Sequence, residues 1–229
     1  MNKYIFLLIL SVSVCNGQLL AQDDKDEFFH EIEVGYTYIN NDKWRGAAAA
    51  KWKHIYSDTK WRRWGGEAYI SRKIKFVAFE AGLVANYTFD KDIVNYFEVR
   101  PWIGLRSDFK LNKRLLLTQK FKFESRNFFY ASEDYSNESR TRSRFLLSLK
   151  YDFLKNREDW KLNPTGEWYF VGKSAEAERF SNSVEFGLRL IKVLRNEHEI
   201  TIGYKRETYK SNTVSDESPG NIFVLEYAF

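Results

Sequence analysis

Arg140, Arg142 and Arg144 alternate with Thr141 and Ser143, so in an extended chain their three guanidinium groups project from one face. A guanidinium is a fixed planar fork matched to carboxylate and phosphate. A file of them along one strand either guides an anion or holds carboxylates of its own chain. Arg100, Arg106, Lys120, Lys122 and Arg126 fall in the same phase of their own segments and extend this basic row. Glu98, Glu124, Glu167, Glu185, Glu207 and Glu226 stand as acidic partners in the same phase. Two arrangements follow: an arginine track through a lumen for small anionic solutes, or a filled interior in which acids and bases pair. The balance of the two sets leans toward the filled interior.

Other chemistries find little support. A membrane-embedded hydrolase with a serine nucleophile needs a histidine beside the hydroxyl to take its proton. His30, His54 and His198 accompany no nucleophile motif. His30 and His54 share the phase of the aromatic residues, and His198 lies near a short turn. A non-enzymatic protein is therefore expected. Cys15 is the one cysteine, so no metal-ligand spacing exists, and no cofactor or metal is expected. Glu133, Asp134, Glu138, Asp216 and Glu217 read as solvated loop charges. With 36 Lys and Arg against 31 Asp and Glu, the excess of +5 is too small and too scattered for a nucleic-acid surface.

The elements that must position these charges are strands. Aromatic residues make up 17% of the chain, yet the mean hydropathy is −0.52. That combination suits sheets with one greasy and one wet face. From Glu27 onward period-two alternation recurs in eleven runs separated by polar turns. In one of the clearest, Val77, Phe79, Ala81, Leu83, Ala85, Tyr87 and Phe89 oppose Glu80, Gly82 and Asn86. Most runs are long enough to cross a bilayer at a tilt, which favours a membrane barrel over a soluble sandwich. Trp44, Trp52, Trp64 and Trp168 fall on or near apolar phases, as interfacial girdles require, and Trp102 falls on the inward phase.

The expected fold is an all-β, antiparallel transmembrane β-barrel with a charged lumen and aromatic girdles. Bacterial single-chain barrels have even strand numbers, so the eleven runs predict twelve strands, with one missed before Lys75, or else ten. Pro101 inside a run predicts a bulge. Long polar connections at 130–140, 172–179 and 210–221 alternate with short ones at 108–113, 154–159 and 194–197. This puts the long ones outside the cell and the terminal Phe229 at the periplasmic face.

Residues 1–22 read as a secretory signal, with Lys3 in a basic n-region and an apolar stretch from Tyr4 to Val14 too short to span a bilayer as a helix. Residues 23–229 form the barrel. The expected location is the bacterial outer membrane, with its lipid and the barrel assembly machinery, engaged through Phe229, as partners.

The run Glu98-Val99-Arg100-Pro101-Trp102, the Glu124-Ser125-Arg126 and Arg140-Thr141-Arg142-Ser143-Arg144 strands and the Glu167-Trp168-Tyr169-Phe170 segment resemble the domain of unknown function 2490 family of small outer-membrane barrels. The resemblance spans most of 27–229. It implies a barrel and brings no catalytic residues. A looser similarity, to twelve-stranded porins for acidic oligosaccharides, rests on the arginine row. The functional expectation is a narrow pore for small anionic solutes. The alternatives are a filled structural or surface-interaction barrel, and a membrane-embedded hydrolase.

Overall fold

The computed structural model describes residues 27–56, 61–154, 159–172, 175–176, 178, 180–210 and 217–229. The signal segment 1–22 with Cys15, and the loop acid Asp216, lie outside them.

Each alternating run becomes one strand. They are β1 (Glu27–Asn40), β2 (Trp44–Ile55), β3 (Trp61–Ile74), β4 (Val77–Asp90), β5 (Tyr96–Asn112), β6 (Leu115–Tyr130), β7 (Glu138–Asp152), β8 (Trp160–Val171), β9 (Ser181–Val193), β10 (Glu199–Lys210) and β11 (Glu217–Ala228). Consecutive strands pair antiparallel, and β1 closes the barrel by pairing parallel with β11, from Glu27↔Gly220 to Gly35↔Ala228.

The expectation of twelve or ten strands is therefore corrected: the described residues form eleven, in a barrel of mixed pairing. The even-number rule holds where the closing pair is antiparallel. A parallel closing pair needs an odd number, as in the nineteen-stranded mitochondrial barrel. Phe229 strengthens the seam, since its N–H bonds the carbonyl of Gly35 (3.1 Å) and its carbonyl accepts from Thr37 N–H (2.9 Å). The seam is directly testable. Ile32 and Leu225 are register partners across it, so cysteines at both positions should form a disulfide under mild oxidation, read as a mobility change that thiol reduction reverses. A barrel with another strand between β1 and β11 would not cross-link.

The Pro101 expectation is also corrected. Proline has no N–H to give a ladder, but no bulge results. β5 and β6 pair at Val99↔Asn127, lapse over Arg100 and Pro101, and resume at Trp102↔Glu124 in the same register. Asn127 Nδ2 donates instead to the Val99 carbonyl at 3.1 Å. The device recurs at Pro164, where β7 and β8 lapse between Ser148↔Thr165 and Tyr151↔Leu162. There Asn163 Nδ2 donates to the Leu149 carbonyl at 3.2 Å.

The two ends of the barrel differ. One carries the turns 41–43, 75–76, 113–114, 153–159 and 194–198 together with Phe229; the other carries the connections 56–60, 91–95, 131–137, 172–180 and 211–216 and the start of β1. These are called the turn end and the loop end below. The two-residue β3–β4 turn needs Lys75 in the left-handed region, at φ 59°.

Most of the large apolar side chains point outward and remain exposed. Trp52↔Trp64, Trp64↔Tyr87, Tyr87↔Phe97 and Phe97↔Phe129 are successive cross-strand partners, so one line of outward aromatic rings crosses β2 to β6. Inward side chains are charged along the middle of the barrel and apolar at the loop end.

Candidate functional site

The lumen holds the charges that the alternation places inward. Their pairing follows height along the tilted strands, and it splits the basic row into three groups.

The central group is built on β5 to β8. Arg142 reaches the Glu124 carboxylate at 2.7 Å, and Arg144 bridges Glu124 (3.0 Å) and Glu167 (2.7 Å). Arg100 pairs with Glu98 at 2.7 Å and stands 4.0 Å from Glu124. Arg126 donates from Nε to Glu98 at 2.6 Å, and from Nη1 and Nη2 to both oxygens of Glu178 at 2.9 and 2.6 Å. Lys122 pairs with Glu67 at 3.0 Å and lies 3.7 Å above the centre of the Trp102 ring, a close cation–π contact. Trp102 is inward and buried, and Gly82 leaves room for it: a Cβ on Gly82 would meet the indole at 2.7 Å.

The second group lies toward the turn end, where Glu80 takes both Arg106 (3.2 Å) and Lys120 (2.6 Å). The third is Arg140, which stands at the loop rim on Glu138 and does not join the other arginines. Glu207 and Glu185 belong to the opposite wall. Lys53 binds Glu207 at 2.7 Å, and Lys205 bridges Glu31 (3.0 Å) and Glu185 (3.8 Å). Arg189 lies 3.3 Å from Glu226. Carboxylate oxygens of Glu31, Glu33 and Glu226 come within 4.8 Å of one another, but each has its own cation, Lys51 serving Glu33 at 2.8 Å.

The fully buried members matter most, because a charge without water is tolerable only when paired and hydrogen-bonded. Glu98, Glu124, Arg126 and Glu178 meet this condition. Sequence reasoning missed Glu67, Glu178, Lys53, Lys205 and Arg63 as members of the network. All but Glu178 lie in the inward phase of their strands, so the alternation already carried their signal. Glu178 sits on the β8–β9 connection, where no period exists to flag it.

The loop end is closed by a different chemistry. Phe29, Ile55, Trp61, Phe180, Tyr209, Ile222 and Val224 form one buried cluster across the mouth. Phe29 makes edge contacts with Trp61 (5.6 Å between centroids) and Phe180 (5.2 Å), and Lys53 lies 4.7 Å over its ring. Beside it, Tyr96 and Phe128 pack with Ala175 and Tyr130. Among the described residues of the β8–β9 connection, Ala175, Glu178 and Phe180 thus enter the mouth.

Side-chain exposure within the lumen falls toward this cap: 39% at Lys51 to 14% at Lys53 on β2, and 23% at Glu33 to 12% at Glu31 on β1. The next inward residues, Ile55 and Phe29, are buried. Below the cap lies a chamber of about 230 Å³ bordered by ten Lys or Arg residues and six Glu.

The histidines are outside the lumen. His30 and His54 face one another across β1 and β2, His54 stacking on Trp52, and His198 Nδ1 lies 2.5 Å from the Tyr227 hydroxyl. Among the described residues no serine hydroxyl is hydrogen-bonded to a histidine.

No protein-family model matches the chain, and no curated protein does. Among solved structures it is similar to the TodX monoaromatic hydrocarbon channel deltaS2 mutant, at 9% identity and a TM-score of 0.43. The likeness covers 76% of this chain and 63% of that one, so the chain spans less than two thirds of the channel's length.

Proposed function

We propose that the protein is a non-enzymatic outer-membrane barrel whose lumen is a blind, charge-lined chamber, reached from the turn end and capped at the loop end. The observation that carries this reading is the decline in exposure along β1 and β2, ending in the buried aromatic cluster. The exposed aromatic outer face supports insertion in lipid, since such surface in water favours aggregation. The strands, of 12–17 residues, are long enough to cross a bilayer when tilted. Short turns at one end and longer connections at the other support a periplasmic turn end, with Phe229 there for the assembly machinery. The Glu98–Trp102 and Arg140–Arg144 signatures support kinship with the domain of unknown function 2490 family.

The excess of cations around the chamber favours anionic over cationic solutes. This keeps the anion-selective pore as a second reading, one that requires the cap to open.

The test is conductance in a planar bilayer, using refolded protein whose electrophoretic mobility changes on boiling. The expected result is a stably inserted, electrically silent barrel. Steady unitary steps from the unmodified protein would overturn the capped reading, and the absence of a heat-dependent shift would count against the membrane barrel.

A further inference from the structure

The walls and the β8–β9 connection contribute unequally to the central cluster. Glu98, Glu124 and Glu167 are strand residues on β5, β6 and β8, whereas Glu178 arrives on the connection. Without Glu178, five guanidinium groups (Arg63, Arg100, Arg126, Arg142 and Arg144) face three wall carboxylates. Arg63 has no carboxylate in contact among the described residues: its Nε donates to Thr88 Oγ1 and its Nη2 to the Tyr96 hydroxyl, each at 2.9 Å. Arg142 has Glu124 as its counter-charge, while Arg100, Arg126 and Arg144 repel it. These five guanidinium groups and Glu178 all border the chamber.

Glu178 is therefore held as a ligand would be. Both carboxylate oxygens meet the Arg126 fork, at 2.9 and 2.6 Å, in a buried position. A bidentate guanidinium accepts a free carboxylate or a phosphate in the same geometry. We propose that Arg126, with Arg63 and Arg142 near it, is an oxyanion-binding seat, that Glu178 is its built-in occupant, and that a small carboxylate or phosphate entering through the chamber takes the same seat.

The inference rests on the chamber of the proposed function, but its test needs neither insertion nor conductance. Full-length barrel in detergent micelles is titrated calorimetrically with inorganic phosphate and, separately, with succinate, at constant ionic strength. Glu178→Gln removes the internal competitor, and affinity should rise at least about tenfold over wild type. Adding Arg126→Lys, which keeps the charge but loses the fork, should abolish the gain. A gain for one probe alone assigns the seat to that class of oxyanion. Equal affinity in wild type and a heat-modifiable Glu178→Gln barrel overturns the proposal, as does a gain that survives Arg126→Lys. A barrel that conducts yet shows the gain keeps the seat and loses the closed cap; a silent barrel without the gain does the reverse.

Discussion

Arg126→Ala is expected to lower the unfolding free energy by about 3–5 kcal/mol, the usual cost of removing one partner from a buried ion pair. Arg126 holds Glu98 and Glu178 together, and both carboxylates are buried. Glu98 keeps Arg100 at 2.7 Å, whereas Glu178, itself buried, loses both of its hydrogen bonds. The greater part of the penalty therefore lies with Glu178. It follows that Arg126→Met combined with Glu178→Gln should recover much of the loss, because a neutral amide costs far less to bury than a carboxylate. Arg140→Ala is the contrast: that ion pair is at the half-exposed rim and should change stability by less than about 1 kcal/mol. Urea unfolding of the refolded barrel, followed by tryptophan emission, measures all three. A loss below about 1 kcal/mol for Arg126→Ala would mean that water reaches the site.

Phe29→Ala should have the largest functional effect. Phe29 is the centre of the cap, touching Trp61, Phe180 and Tyr209 through ring contacts at 5.6, 5.2 and 5.9 Å. Truncation removes those contacts and leaves a void, at a cost of about 3–5 kcal/mol. The void lies directly above the charged chamber, so ions that reach Lys53 from the turn end gain an exit. Conductance steps should appear in planar bilayers, with reversal potentials under a salt gradient that favour anions. Phe29→Leu, which keeps most of the volume, should remain silent. Silence from a stably folded Phe29→Ala barrel would place a further seal in the Tyr96, Phe128 and Ala175 cluster.

Alternation alone gave the inward phase of Glu98, Arg100 and Trp102, of Lys120, Lys122, Glu124 and Arg126, and of Arg140, Arg142 and Arg144. A period of two is forced by the pleat and survives any arrangement of neighbours. It assigns a side chain to a face, not to a height. Which acid meets which base depends on tilt and register, so Arg106 and Lys120 converge on Glu80 rather than extending the arginine row. Closure was not legible either. Eleven runs were countable, but whether the last strand meets the first parallel or antiparallel is decided by pairing between chain ends. Trp61 shares the inward phase of Arg63 yet serves the cap, and only the packing of Phe29 and Phe180 against it reveals that role.

The seam between β1 and β11 also governs how the barrel assembles. Every other ladder joins neighbours through a short connection, so those ten hairpins can form by local search. The seam brings together residues about 190 positions apart, as in Glu27 with Gly220, and it does so in an orientation no hairpin can template. Until it closes, both terminal strands carry a bare edge of N–H and C=O groups, which hydrocarbon tolerates poorly. Its formation is therefore the slow, committing step of folding, and partially zipped intermediates should be found at the lipid surface rather than within it.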